Sequence, residues 1–128
     1  MSASDSNTTI LIVDDEFDMR TLVRIVIQMA NDGLSVVGEA SNGVEALDIW
    51  RSLNGPPTPD VVLLDNHMPI RSGLDTAREI LAERPDQKIL LYTAFLDDDI
   101  RSQAAAIGIT TCLSKGDLEA LPDILRHM

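Results

Sequence analysis

The chain has 128 residues, a formal net charge of −11 and one cysteine, Cys112. This length suits a single domain, and an acidic surface repels phosphate backbones, which argues against direct nucleic-acid binding. A single cysteine excludes an intramolecular disulfide. No apolar run reaches the length of a membrane span, and the opening residues MSASDSNTT lack the basic flank and apolar core of a signal peptide. We therefore expect a cytoplasmic domain without membrane contact.

We expect no regular structure in residues 1–8 and a single domain over residues 9–128. Within this domain, short apolar runs alternate with segments of helical periodicity. Several runs are apolar without a break, which is typical of parallel strands covered by helices on both faces. The five predicted strands are Ile10–Val13, Ser35–Gly38, Val61–Leu64, Lys88–Tyr92 and Thr111–Leu113.

Apolar residues spaced three and four apart follow each predicted strand and indicate five amphipathic helices. Ser72 and Asp97 are suited to cap the third and fourth helices. Pro122 is compatible with the fifth helix only if that helix begins close to it. The apolar stripes are Met19, Leu22, Val23, Val26 and Ala30, then Val44, Leu47 and Trp50, then Ala77, Ile80 and Leu81, then Ile100, Ala104 and Ile107, then Leu118, Leu121 and Leu125.

Turn-forming residues separate these elements. Asn31-Asp32-Gly33 ends the first helix, with Gly33 as its left-handed C-terminal residue, and residues 55–59 form a stiff loop before the third strand. The strict alternation of strands and helices predicts an α/β fold with a doubly wound parallel sheet. In such a sheet the site lies beyond the carboxyl ends of the strands, so the residues that follow the strands should meet.

The residues beyond the predicted strands are rich in acids. Asp14, Asp15 and Glu16 follow the first strand with no basic residue between them. Two unit charges about 4 Å apart repel by about 4 kcal/mol at the effective dielectric of a protein surface, so something must offset the repulsion. Beyond the third, fourth and fifth strands lie an acid, a hydroxyl group and a base: Asp65, Thr93 and Lys115.

These motifs resemble the receiver domain of bacterial two-component response regulators, the phosphorylatable domain that the chemotaxis regulator also uses. The resemblance rests on the acid pair in VDD, the stretch LLDNHMP followed by SG, the pair TA and the lysine after the last strand. It covers about Thr8 to Arg126 and implies a flavodoxin-like sheet with strand order 2-1-3-4-5 and five helices on two faces.

The resemblance implies that Asp65 is the phosphoacceptor, since a carboxylate can attack a phosphoryl group and form an acyl phosphate. Asp15 and Asp65 would each give an oxygen to Mg²⁺, or to Mn²⁺ in its place, His67 would give its backbone carbonyl, and Asp14 would bind through water. A divalent cation would thereby offset the repulsion among the acids and neutralise charge on the transferring phosphoryl group.

Three further residues are implied to bind the phosphoryl oxygens. Lys115 would act through its ammonium group, Thr93 through its hydroxyl and Ala94 through its backbone N–H. Glu16 has two interpretations, as a metal ligand and as an acid that interacts favourably with the positive N-terminus of the first helix.

By the same resemblance, the phosphoryl donor would be a sensor histidine kinase or a small phosphodonor such as acetyl phosphate, and the domain could pass the phosphoryl group on to a phosphotransfer protein. The domain would shift between two conformations and so change a surface formed by the fourth helix, the fifth strand and the fifth helix. That surface would bind a downstream protein or a second copy of the chain, as a homodimer. The domain would be a signalling switch rather than an enzyme, catalysing only its own phosphorylation and dephosphorylation.

Some positions depart from the family pattern or flank the phosphoryl group. Gly116 stands where the family usually has proline, and Cys112 replaces an aromatic residue that rotates when the phosphoryl group arrives. Phe95 and His67 occupy positions that flank the phosphoryl group. We expect the bulky Phe95 to limit water access and to slow hydrolysis of the acyl phosphate.

Three alternatives stay open on the sequence alone. A flavin-binding module of similar topology would need a phosphate-cradling loop after the first strand, where DDEFD repels phosphate. A metal-dependent phosphatase with Asp65 or Asp15 as its nucleophile would turn over substrate, whereas a switch holds its phosphoryl group. A degenerate receiver that is never phosphorylated is disfavoured by the intact Asp15, Asp65, Thr93 and Lys115.

Overall fold

A computed structural model of the chain describes residues 7–30, 33–53, 59–109 and 111–128. The predicted turn residues 31 and 32 and most of the predicted loop 55–59 lie outside these ranges. The strands are β1 Thr8–Val13, β2 Leu34–Ala40, β3 Val61–Asp65, β4 Lys88–Thr93 and β5 Thr111–Ser114. The helices are α1 Phe17–Ala30, α2 Gly43–Leu53, α3 Gly73–Glu83, α4 Asp98–Ala106 and α5 Leu121–Arg126, with a 3-10 helix, Lys115–Ala120, before α5.

The five strands are all parallel and form one sheet in the order β2-β1-β3-β4-β5. This order confirms the predicted doubly wound, flavodoxin-like α/β fold. The register pairs Val13 with Leu64 and Thr93 with Ser114. The residues that follow β1, β3, β4 and β5 therefore lie along one edge of the sheet, as the position of the predicted site requires.

Side chains alternate between the two faces of the sheet and build a separate apolar core on each face. On one face, Leu11 and Leu64 pack with α2, α3 and α4. On the other face, Ile10 and Leu63 pack with α1, the 3-10 helix and α5. Both cores are mainly aliphatic, and Tyr92 is the largest fully buried side chain among the described residues.

The predicted helix ends agree with the structure. The Ser72 hydroxyl accepts a backbone N–H from the first turn of α3 at 3.1 Å, and the Asp97 carboxylate does the same for α4 at 2.8 Å. Gly33 has a φ of 73°, as a left-handed residue should. Pro122 lies in the first turn of α5, where a missing N–H is tolerated. The first strand begins at Thr8, the last residue of the range for which we expected no regular structure.

Two members of the predicted apolar stripes are exposed. Leu22 of α1 and Val44 of α2 are each 46% exposed. In α1 the fully buried positions are instead Val23 and Ile27, four residues apart on the face that meets the sheet. Even with these apolar residues on its helices, the described part of the chain contains no helix that could cross a bilayer.

Candidate functional site

Asp65 is the last residue of β3 and is only 1% exposed. The backbone turns back at once, since the Gly73 N–H donates to the carbonyl of Asn66 at 3.0 Å. A Cβ on Gly73 would lie 2.8 Å from the Asn66 Cα, so only glycine lets α3 begin this close to the end of β3. This packing holds the loop in which the His67 N–H donates to Asp65 Oδ1 at 3.1 Å.

Three predicted acids converge at this edge of the sheet. Carboxylate oxygens of Asp14, Asp15 and Asp65 lie within 4.8 Å of one another. Asp14 and Asp65 are buried, whereas Asp15 is exposed. Mg²⁺ prefers oxygen ligands, uses few protein carboxylates and keeps several waters, so this donor set fits it. The three acids therefore form a candidate site for a divalent cation.

A cleft of about 370 Å³ opens beside the acids. It brings together residues from the ends of β1, β3 and β4 and from the start of the 3-10 helix. Its lining residues are Asp15, Glu16, Asp65, His67, Ala94, Phe95 and Lys115. A larger cleft, of about 630 Å³, lies between α1 and β2 and is not lined by any of the three acids. The smaller cleft is therefore the one that contains the predicted chemistry.

Lys115 places a positive charge beside both buried carboxylates. Its Nζ lies 3.0 Å from Asp14 Oδ2 and 3.3 Å from Asp65 Oδ1. Burial acts to lower the pKa of Lys115, but the hydrogen bond to Asp14 and the charges of both carboxylates outweigh it and raise that pKa. The side chain is therefore held as an ammonium ion between the two buried acids.

The ammonium group of Lys115 does not fully offset the cost of holding a negative charge on the buried Asp65 carboxylate. Burial raises the pKa of Asp65 to about 6, and the nearby charge of Asp14 adds to this effect. The charge and hydrogen bond of Lys115 and the His67 N–H act in the opposite direction without reversing the shift. The repulsion expected from the clustered acids is thus present in the folded chain, and a bound cation would relieve it.

Thr93 ends β4 and is fully buried. Its Oγ1 lies 3.0 Å from Nδ1 of His67, in the loop after β3. Ala94, the next residue, is exposed and lines the cleft. The structure therefore brings every predicted site residue to one edge of the sheet. At that edge the Thr93 hydroxyl contacts the side chain of His67.

Sequence reasoning missed Tyr92. Its hydroxyl donates to Asp14 Oδ2 at 2.6 Å, and its ring centroid lies 4.9 Å from the Nζ of Lys115. Burial, followed by the negative charge of Asp14, raises the pKa of Tyr92 above its usual value, so the phenol remains a neutral donor. A single tyrosine in the otherwise aliphatic strand KILLYT is the signal that could have identified it.

Sequence reasoning also missed Arg20, a residue of α1 outside the predicted apolar stripe. Its Nη1 donates to the backbone carbonyl of Asp14 at 2.6 Å, and its Nε donates to Glu39 Oε1 at 3.2 Å. Arg24 pairs with the same Glu39. This network ties the end of β1 to the end of β2, and no local feature of the sequence predicts it.

The remaining predicted positions have these surroundings. Glu16 immediately precedes α1 and lines the cleft, and its N–H donates to Asp14 Oδ1 at 2.9 Å, but Glu16 is not a member of the group of three acids. The Gly116 N–H donates to Ser114 Oγ at 3.3 Å, a bond that proline could not make. Cys112 is half-buried and packs against the core on the α4 side.

Comparisons with known proteins agree with this geometry. A family model described as "Response regulator receiver domain" matches residues 10–126. The chain is 31% identical over 125 residues to Protein CcdB of Bacillus subtilis, covering 94% of this chain and 99% of that protein. It is similar in structure to chemotaxis protein CheY4 of Vibrio cholerae, with a TM-score of 0.82 at 26% identity over 94% of this chain and 98% of the other.

Other relatives are longer than this chain. The response regulator GacA of Pseudomonas viridiflava is 36% identical over 108 residues, which cover 84% of this chain and 48% of that protein. The match thus spans about half of that relative and nearly the whole of the Bacillus protein. Residues 10–126, which the family model matches, contain the three acids, the threonine and the lysine described above.

Proposed function

This chain belongs to the response regulator receiver domain family, and from that premise we propose that Asp65 accepts a phosphoryl group in a signalling switch. Receiver domains are signalling modules rather than metabolic enzymes, so the product is the phosphorylated domain itself. The observation that supports Asp65 is its position in the acidic group, with Lys115 Nζ 3.3 Å from its Oδ1. A nucleophile there is buried, oriented and adjacent to a fixed positive charge.

The phosphoryl donor is a sensor histidine kinase or a small phosphodonor such as acetyl phosphate, and a phosphotransfer protein can receive the phosphoryl group from Asp65. A carboxylate oxygen of Asp65 attacks phosphorus and forms a P–O bond while the bond to the leaving group breaks. The electron pair leaves on the imidazole nitrogen of a phosphohistidine, or on an acetate oxygen of acetyl phosphate. Water later attacks the acyl phosphate, releases inorganic phosphate and restores the carboxylate.

Asp15, Asp65 and the backbone carbonyl of His67 would hold Mg²⁺ or Mn²⁺, with Asp14 bound through water. Such an ion neutralises charge on the transferring phosphoryl group when it is bound. The raised pKa of Asp65 supports this assignment, because Lys115 alone leaves the carboxyl less ionised than an ordinary aspartate. A bound cation would further favour the ionised form of Asp65, which attack on phosphorus requires.

Lys115, Thr93 and Ala94 bind the oxygens of the new phosphoryl group, through an ammonium, a hydroxyl and a backbone N–H. When Thr93 turns towards the phosphoryl group it leaves His67, and the loop between β4 and α4 adjusts. The surface formed by α4, β5 and α5 changes as a result. That surface binds a downstream protein or a second copy of the chain.

The test is incubation of the chain with Mg²⁺ and acetyl phosphate, followed by intact mass measurement. We expect a gain of one phosphoryl group that hydroxylamine removes, as it removes acyl phosphates. Asp65→Asn should show no gain. Asp86→Asn, which changes an exposed carboxyl outside the cleft, is the matched control and should be phosphorylated like the unaltered chain.

Two results would contradict the proposal. If the unaltered chain gained no phosphoryl group from acetyl phosphate or from a histidine kinase, it would be a degenerate receiver. If it released phosphate from acetyl phosphate in many cycles without accumulating the phosphorylated form, it would be a phosphatase. The switch instead accumulates to about one phosphoryl group per chain and then decays when the donor is removed.

A further inference from the structure

Tyr92 is fully buried, and its hydroxyl donates to Asp14 Oδ2 at 2.6 Å. We propose that Tyr92 is a positioning residue that orients the Asp14 carboxylate and the Lys115 side chain, and thereby sets the affinity of the site for Mg²⁺. This inference rests on the proposed cation site at Asp14, Asp15 and Asp65. It assigns a role to a side chain that is neither a ligand nor a nucleophile.

Packing alone does not require a phenol at this position. The core that surrounds Tyr92 is aliphatic, with Ile12, Leu63, Leu90 and Leu113 among its members. Phenylalanine would fill nearly the same volume there, and a buried hydroxyl is unfavourable unless it is hydrogen-bonded. The hydroxyl finds its partner in the carboxylate of the candidate cation site, so its contribution is made at that site.

The hydrogen bonds of Asp14 define which of its acceptor positions remain. Oδ2 accepts from the Tyr92 hydroxyl and lies 3.0 Å from the Nζ of Lys115, which together use both of its lone pairs. Oδ1 accepts the Glu16 N–H at 2.9 Å. One acceptor position, on Oδ1, is left for a water that binds the cation. Without the tyrosine hydroxyl, Oδ2 keeps only its contact with Lys115, so the orientation of the carboxylate and the direction of that acceptor position are less closely defined.

Tyr92 also restrains the lysine. The Nζ of Lys115 lies 4.9 Å from the centroid of the Tyr92 ring, within the distance of a cation–π contact. The same ring therefore contacts the ammonium through its face and reaches the carboxylate through its hydroxyl. Because Tyr92 is adjacent to Thr93 in β4, one residue connects three members of the site.

The experiment measures Mg²⁺ affinity by calorimetry in Tyr92→Phe, which keeps the ring and removes only the hydroxyl. Loss of a hydrogen-bond partner of a metal-binding group typically reduces affinity 10–100-fold, and we expect about tenfold weaker binding here. Trp50→Phe is the matched control, since it removes another buried aromatic donor, Nε1 bonded to Gln87 Oε1 at 2.9 Å, outside the cleft. It should bind Mg²⁺ like the unaltered chain.

A double-mutant cycle distinguishes positioning through Asp14 from a general loss of structure. In an Asp14→Asn background, Tyr92→Phe should cause little further loss of Mg²⁺ affinity, because the carboxylate on which it acts is gone. Equal losses in both backgrounds would overturn the proposal. So would an unchanged affinity in Tyr92→Phe alone.

A measurement on the unaltered chain covers the case in which Tyr92→Phe does not fold. The chain has one tyrosine, so the NMR signal of a ¹³Cζ tyrosine label belongs to Tyr92. Titration with Mg²⁺ should shift this signal with the dissociation constant found by calorimetry, and no shift would overturn the proposal. This test is independent of phosphorylation. If Tyr92 orients Asp14 and the chain binds Mg²⁺ but never accepts a phosphoryl group, only the proposed function is contradicted.

Discussion

The imidazole Nδ1 of His67 lies 3.0 Å from the hydroxyl oxygen of Thr93, although the two residues are 26 positions apart in the chain. The contact joins the loop after β3 to the end of β4. In the unphosphorylated chain the Thr93 hydroxyl is therefore already engaged. In the proposed switch, a phosphoryl group on Asp65 would compete with His67 for this hydroxyl.

Removing the imidazole should favour the phosphorylated conformation. A hydrogen bond of this kind contributes about 0.5–1.5 kcal/mol, so His67→Ala should bind beryllofluoride, an analogue of the phosphoryl group, about 2- to 10-fold more tightly in the presence of Mg²⁺. Fluorine NMR titration measures the affinity. His127→Ala changes the exposed histidine that follows α5. It is the control and should not change the affinity for beryllofluoride. Weaker binding in His67→Ala would show that the imidazole assists the phosphoryl group instead.

The raised pKa of Asp65 predicts a pH-dependent stability without divalent cations. A carboxyl whose pKa rises from 3.8 to about 6 on folding binds its proton more tightly in the folded state. The stability from this proton is complete below about pH 3.8 and is lost as pH rises through about 6. In EDTA, Asp65→Asn should therefore match the unaltered chain near pH 3.5 and exceed it by roughly 1–3 kcal/mol at pH 7.5.

Urea denaturation across this pH range measures the free energy of unfolding of both chains. Asp86→Asn, at an exposed acid outside the cleft, should follow the unaltered chain at every pH. Addition of Mg²⁺ at pH 7.5 should stabilise the unaltered chain more than Asp65→Asn, since binding to the folded state raises its stability. A constant difference between Asp65→Asn and the unaltered chain from pH 3.5 to 7.5 would contradict the prediction.

Phe95 lines the cleft and is 79% exposed. In the proposed switch, a large apolar side chain that lines the cleft would reduce access of water to an acyl phosphate on Asp65. We expect Phe95→Ala to shorten the half-life of the phosphorylated chain about 2- to 10-fold, equivalent to roughly 0.4–1.4 kcal/mol in the barrier. Decay after removal of acetyl phosphate gives the rate. Met29→Ala, at an exposed apolar residue of α1, should decay at the unaltered rate.

Ile70 has a φ of 73° and is 84% exposed. A β-branched residue in this left-handed region is strained, at a cost of about 1–3 kcal/mol, and gains little from burial here. Ile70→Asn should raise the free energy of unfolding by about 1 kcal/mol, because asparagine tolerates this conformation. Met29→Asn, in a helix with ordinary φ, should lower it. A destabilised Ile70→Asn would mean that the isoleucine side chain makes a compensating contact.

Much of the architecture was predictable because it depends on local patterns. The apolar run Ile10–Val13 and the helical spacing that follows it are properties of neighbouring residues, and their alternation leads to a parallel sheet. The carboxyl ends of parallel strands share one edge, so the convergence of Asp14, Asp65 and Lys115 followed from the order of the elements. Gly73 belongs to the SG motif of the sequence, but the sequence does not show the close approach to Asn66 that requires glycine at this position.

The sequence by itself thus determined the fold class, the edge of the sheet that holds the site and the acids and base that meet there. Only the tertiary structure decided which groups satisfy those acids, because a buried hydroxyl or guanidinium finds its partner wherever the packed chain brings one within hydrogen-bonding distance. Tyr92 reaches Asp14 across 78 positions, and Arg20 reaches the carbonyl of the same residue from α1. Such contacts depend on side-chain positions in three dimensions, and the periodicity of a strand or a helix does not predict those positions.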